Sequence, residues 1–187
     1  MAQSKILLDS NSYFRLAKCI HPLLFESFGE AKHTLYVFPE LEQEYAKTPR
    51  LQSKFPWVLD EEFLSNRSKR LSLSKQQKRE RETVYEFMWE YVQTDLPGPS
   101  RVDVTVLSHA YVLGIPVVTD DADMIKLAEE YGVTVWKTLD LLKLMLDCGH
   151  ADRAKVRGVV AYWGYVGDFP KDFTLDYRRL FGEAPPV

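Results

Sequence analysis

Cysteine is scarce: Cys19 and Cys148 are the only two in 187 residues. They form no close pair and no finger-like spacing, which argues against a disulfide-stapled secreted domain and a thiolate zinc site. They read instead as two reduced, partly buried thiols in a cytoplasmic protein. His21, His33, His109 and His150 have no partner spacing that suggests zinc either. No stretch approaches the roughly 20 apolar residues needed to span a bilayer, so no membrane association is expected. The N-terminus reaches the strand-like 5–9 segment at once, which predicts no signal peptide. Internal repeats and long low-complexity tracts are missing. Charge of one sign is also missing overall, the formal net charge being −3.

What remains is an ordinary globular composition, 45% hydrophobic and 27% charged. The length suits one domain with a substantial core rather than two. Although the net charge is small, its distribution is uneven. Arg67, Lys69, Arg70, Lys75, Lys78, Arg79 and Arg81 crowd the middle of the chain, diluted by Glu80. Acidic residues punctuate the flanking segments. Such separation fits an acidic centre beside a basic substrate track, and it fits a solvated helix face as well.

Four short aliphatic runs read as strands: 5–8, 35–38, 115–119 and 133–136. Each is nearly continuous in apolar character, as parallel strands covered on both faces are. Helical patterns alternate with them. One opens at Asp103, carries Val104, Leu107 and Tyr111 as a stripe, and stops at Gly114. A second runs from Ala122 or Asp123 to Gly132, and a third is capped by Thr138. This alternation predicts a three-layer α/β/α sandwich around a parallel sheet. Residues 1–146 would form that domain, interrupted at about 48–99 by a basic and helical insert. The insert includes an apolar stripe of Val84, Phe87, Met88, Tyr91 and Val92. Residues 147–187 would add a helical extension packed on the same domain.

Ligands of open parallel sheets bind beyond the carboxyl ends of the strands. Acidic residues stand at those ends here. Asp9 follows the first strand, Glu40, Glu42 and Glu44 follow the second, and Asp120, Asp121 and Asp123 follow the third. Asp103 opens the helix that leads into the third strand. Carboxylates gathered in one place raise each other's pKa and resist joint ionisation. A hard divalent cation such as Mg²⁺ or Mn²⁺ relieves that conflict and suits phosphodiester hydrolysis. Each acid also has a plainer reading: Asp9 in an Asx turn, Asp103 as an N-cap, and one of Asp120, Asp121 and Asp123 as a helix cap. Asp120 is assigned to that role or to solvent, and Glu42 to water.

The segment Leu7-Leu8-Asp9-Ser10-Asn11-Ser12 resembles the opening of a PIN domain. The run from Asp103 to Met124 resembles that family more closely. Asp103 opens a helix, Ala110 is small, Gly114 ends it, Pro116 precedes a strand, and Thr119-Asp120-Asp121 gives Thr-x-Asp. VapC-type toxins of toxin–antitoxin systems are the nearest in style. The resemblance implies a metal-dependent endoribonuclease using Mg²⁺ or Mn²⁺, with Asp9, Glu44, Asp103 and Asp121 catalytic. Asp9, Asp103, Asp121 and Asp123 would hold metal. Glu44 is chosen by its spacing from Pro39, and Glu40 lies one turn earlier on the same helical face as the alternate. Ser12 and Thr119 would support the ligands from behind. Arg67, Lys69, Arg70, Lys75, Lys78 and Arg79 are candidate RNA contacts. RNA, a cognate antitoxin and a homodimer are the partners this resemblance suggests.

Other readings compete. A haloacid-dehalogenase-type phosphatase wants a second Asp two residues after the first, and position 11 is Asn. A receiver domain wants an acidic pair and a late Lys that are not well placed. A catalytically inactive PIN-like scaffold that binds RNA or protein is the main alternative.

Overall fold

The strands form where apolar residues are densest and end where the ladder runs out of partners. The computed structural model describes residues 4–186. Its strands are β1 (Lys5–Leu8), β2 (Thr34–Tyr36), β3 (Val117–Val118) and β4 (Val135–Trp136). They pair in the order β2-β1-β3-β4, all parallel. The last three are shorter than the apolar runs predicted. Pro116 has no N–H to give a ladder, though its carbonyl accepts from Leu7 at 3.0 Å. Val37 and Phe38 stay buried beyond the end of β2.

Alternation within each strand divides the core into two layers. Ile6, Leu8, Leu35 and Val118 join one apolar cluster, whereas Leu7, Tyr36 and Val117 join the other. The first cluster is covered by α1 (Ser10–Leu16), α8 (Thr138–Asp147), α9 (Arg153–Val166) and α10 (Phe173–Phe181). The second is covered by α5 (Lys75–Thr94), α6 (Arg101–Leu113) and α7 (Ala122–Glu130). The expected α/β/α sandwich is the architecture of the chain. No helix of the described residues is long and apolar enough to cross a membrane.

The insert serves both faces of the sheet. After α2 (Glu40–Lys47) come α3 (Pro49–Lys54), a 3-10 turn (Pro56–Leu59) and α4 (Glu61–Arg67). Phe55, Trp57, Val58 and Phe63 from these segments pack into the first cluster. Met88 and Val92 of α5 pack into the second, against α6. Phe87, expected in the α5 stripe, is instead 62% exposed. The buried arc is rotated toward Val84, Tyr85 and Trp89, which pack at the edge of that cluster. Tyr111 of α6 is likewise turned out, while Val106 and Ala110 are buried.

The C-terminal helices are core elements. Trp163 of α9 is fully buried, and its indole N–H donates to the Arg15 carbonyl at 2.8 Å. Phe173, Tyr177 and Phe181 line one side of α10 in successive ring contacts. Two helix starts differ from expectation: α6 begins at Arg101 with Ser100 as its cap rather than opening at Asp103, and Thr138 is the first residue of α8 rather than its cap, Lys137 holding the cap position.

Candidate active site

Asp9 stands at the carboxyl end of β1 because its own N–H still pairs with Val118 at 3.0 Å. Its side chain caps α1, accepting from the Ser12 N–H at 2.6 Å. The other oxygen accepts from the Thr119 hydroxyl, also at 2.6 Å. Thr119 follows β3 and is fully buried. Its oxygen in turn accepts from the Asp121 N–H at 3.1 Å. One hydroxyl therefore ties the tips of the two central strands together.

Asp103 is the third residue of α6 and forms a reciprocal capping box with Ser100. The Ser100 N–H donates to Asp103 at 2.6 Å, and the Asp103 N–H donates to the Ser100 hydroxyl at 3.2 Å. Gly114 ends that helix at φ 62°, where a side chain would be strained. Asp121 caps α7, one of its oxygens accepting from Asp123 and Met124 N–H groups at 3.0 and 2.8 Å. Glu44 projects from α2, half-buried.

Asp9, Glu44, Asp103 and Asp121 line one small cavity, about 40 Å³, together with Ser10, Asn11 and Val106. Glu44 rather than Glu40 faces it. Larger depressions exist, the widest along Lys75, Arg79 and Thr83 of α5. The gathered carboxylates, not volume, single out the small one. Burial pushes the Asp9 carboxyl up to about 6, against hydrogen bonds from Ser12 and Thr119 that lower it; the nearby Asp120 charge raises it further. Asp103 is also raised, first by burial and then by the charges of Asp121 and Glu44. The acids therefore sense one another across the cavity.

The oxygen donors and the crowding of negative charge suit a hard divalent cation. Among the described residues, however, no group of three His, Cys, Asp or Glu side chains stands ready to hold a metal ion. The hydrogen bonds explain the spacing: Asp9 and Asp121 are engaged as helix caps, and Asp103 in the capping box with Ser100. Side-chain rotation would have to bring their remaining oxygens together. The donor set fits such an ion in kind, with that rearrangement.

Asp123 does not join the cavity. Its carboxylate lies over Gly98 and 3.4 Å from Lys126, so its expected role as a fourth ligand is not met by this geometry. Ser12 supports Asp9 through its backbone N–H, while its hydroxyl pairs with Thr138 at 2.9 Å.

Asp120 has a role the sequence did not suggest. It caps α8 through the Thr138 N–H and hydroxyl, and pairs with Arg15 at 2.7 Å. Arg15 also pairs with Asp168 at 2.9 Å, and Asp168 with Lys54 at 2.8 Å. This network joins α1, α3, α8 and the loop after α9 behind the carboxylate cavity. No local pattern could reveal it, since its members lie far apart in sequence.

The basic segment needs one correction. Arg67 is 1% exposed and no surface contact. Its guanidinium donates to the Tyr13 hydroxyl at 2.9 Å and the Val58 carbonyl at 2.7 Å, with Glu42 3.6 Å away. Tertiary packing took this cation for structure, while Glu42, assigned to water, keeps 41% of its side chain exposed beside Arg67 and Arg70. Lys69 lies 5.4 Å from the Phe25 ring centre. Arg70 bonds the Arg67 carbonyl and approaches Glu42 at 3.8 Å. Lys75, Lys78 and Arg79 are exposed on the first turns of α5.

Comparison with known proteins adds little. No protein-family model matches the chain, and no curated protein does. Among solved structures, a chain of the crystal structure of FitAcB from Neisseria gonorrhoeae is similar at 15% identity and a TM-score of 0.47. The match covers 72% of this chain and 98% of that one.

Proposed function

We propose that this protein is a metal-dependent endoribonuclease of PIN type, hydrolysing phosphodiester bonds in RNA. The observation that carries this reading is the convergence of Asp9, Glu44, Asp103 and Asp121 on one cavity at the strand ends. These acids come from four separate places in the chain, and the charges of two of them push up the carboxyl of a third. Asp9, Asp103 and Asp121 would hold Mg²⁺ or Mn²⁺, with Glu44 beside them. Such an ion, when bound, supplies an activated water and neutralises charge developing on the phosphate.

The chain's own groups do the positioning. Thr119 fixes the Asp9 carboxylate and the Asp121 backbone together, and Ser12 holds Asp9 from the helix side. Val102 and Val106 add apolar surface to the cavity. Lys75, Lys78 and Arg79 would draw the RNA backbone. A toxin role, with an antitoxin protein covering the acidic cavity or the C-terminal helices, and a homodimer, are extensions suggested by the motif resemblance in the sequence.

Asp121→Asn is the sharpest test. Asn keeps a carbonyl oxygen for the Asp123 and Met124 N–H groups, so α7 stays capped. The variant should fold normally and lose cleavage of single-stranded RNA by at least about 100-fold. Equal cutting by this variant, or no cutting by the native protein with either ion, removes the proposal. A second reading has its own observation: among the described residues no three acids are gathered closely enough to hold one ion. A scaffold that binds without cutting would take up no Mn²⁺ in a calorimetric titration.

A further inference from the structure

A second cleft, about 350 Å³, opens between α2, α5 and α6. Phe38, Glu40, Arg70, Arg81, Thr105 and His109 line it. Two of its lining residues each carry a buried polar atom with no hydrogen-bond partner, Glu40 at one carboxylate oxygen (Oε2) and Arg81 at its Nε–H. A buried group left unpaired typically loses about 1–3 kcal/mol, so an acceptor and a donor waiting in one cleft point to a ligand. Their chemistry restricts it. The ligand must offer hydrogens to a carboxylate and a lone pair to a guanidinium. It must also present a flat face to the ring wall, where Phe38 and His109 lie 4.2 Å apart between centres.

His109 adds to this definition. Its Nδ1 lies 2.8 Å from the Thr105 carbonyl and so carries the hydrogen. Burial first, and the Arg81 charge after it, lower its pKa against the Thr105 hydrogen bond and the Glu40 charge, which raise it. The neutral ring leaves Nε2 as an acceptor and offers a base an uncharged stacking surface.

We propose that this cleft binds a guanine base of the RNA strand, Glu40 accepting from its N1–H and 2-amino group and Arg81 donating to its O6. Of the four RNA bases, guanine alone places two adjacent donors beside an acceptor on one edge. Adenine and cytosine offer a carboxylate one amino group, and uracil a single N–H flanked by acceptors. The strand, rather than a free nucleotide, is the expected source because the cleft shares its elements with the carboxylate cavity. Glu40 is one helical turn, about 6 Å, from Glu44, and Thr105 is two residues, about 3 Å, beyond Asp103 along their helices. The assignment rests on the endoribonuclease reading for its substrate and would give that enzyme a preference for guanine near the cut.

Binding of fluorescent single-stranded hexanucleotides, measured by anisotropy in EDTA, tests the cleft without any cleavage. The strands are six uridines, or five with one central guanosine or adenosine. The guanosine strand should bind about 5–100-fold tighter than the adenosine strand, the range of one good bidentate contact. Glu40→Gln should reduce that preference to within about twofold, with the same melting temperature and the same affinity for the all-uridine strand. Absence of a guanosine preference, or its survival in Glu40→Gln, overturns the proposal, as does failure to bind any strand. GMP displacing the guanosine strand at equal concentration would give the cleft to a free nucleotide and overturn the strand assignment. A guanosine preference in a protein that cuts nothing with Mn²⁺ would remove the nuclease reading alone.

Discussion

Asp9→Asn should remove a pH-dependent part of the fold's stability. Asp9 is 7% exposed, and burial raises its carboxyl from an ordinary 3.8 to about 6. The folded protein therefore binds this proton more tightly than the unfolded chain does. The associated stability is fully present below pH 3.8 and disappears as pH rises through 6. Its full size is about 3 kcal/mol at about 1.36 kcal/mol per pKa unit, and a little under half of it is lost between pH 5 and pH 8. Asn is neutral at both, so the variant lacks this dependence. Its amide oxygen can still accept from Ser12, while the bond to Thr119 must be rebuilt. That rebuilding adds an offset independent of pH. The double difference across pH is therefore the quantity to measure. Urea melts in EDTA at pH 5 and pH 8 give it. The midpoint of the variant relative to the native protein should rise by roughly 0.5–1.4 M from the lower to the higher pH, at slopes of about 1–3 kcal/mol per molar. An unchanged or falling relative midpoint would refute the claim that burial raises the Asp9 carboxyl. Saturating Mn²⁺ at pH 8 should stabilise the native protein by RT ln(1 + [L]/Kd) and leave Asp9→Asn nearly unmoved.

The basic segment should separate into two kinds of residue. Arg67→Ala removes bonds to Tyr13 and Val58 in the core and should lose about 2–4 kcal/mol of stability by urea melting. The Lys75→Ala, Lys78→Ala, Arg79→Ala combination should leave stability within about 1 kcal/mol. It should reduce the logarithmic salt dependence of single-stranded RNA binding by about 2; an unchanged slope would take these residues off the RNA path. Gly98→Ala should cost about 1–3 kcal/mol, because φ is +152° and a Cβ would meet Asp123 atoms at 2.7 Å. Adding Asp123→Ala should recover part of that loss, and no recovery would show that backbone strain alone is responsible.

Much of the frame was legible from local pattern. β1 falls where its apolar run does, at Lys5–Leu8, and α6 stops at Gly114 as its left-handed conformation requires. These features depend on neighbours in sequence, through strand alternation, helix periodicity and capping. Asp9 and Asp121 could be placed at one pole because parallel topology brings every strand's carboxyl end there; Glu44 and Asp103 were chosen on the resemblance of their segments to a known family. Glu44 over Glu40 was harder, since both share a helix face. The turn of α2 decided it, sending one to each of two cavities.

Other features were settled only by tertiary structure. Arg67 and Lys75 look alike as members of one basic run, yet one fills a buried gap beside Tyr13 and the other meets solvent. Asp120 and Asp123 flank Asp121 with the same side chain, but one is drawn to Arg15 and α8 and the other to Lys126. Sequence specified which charges stand near the strand ends, because that follows from chain direction and period. Which of them point inward depends on counter-charges and empty space supplied by distant segments, and those come into being only when the helices pack.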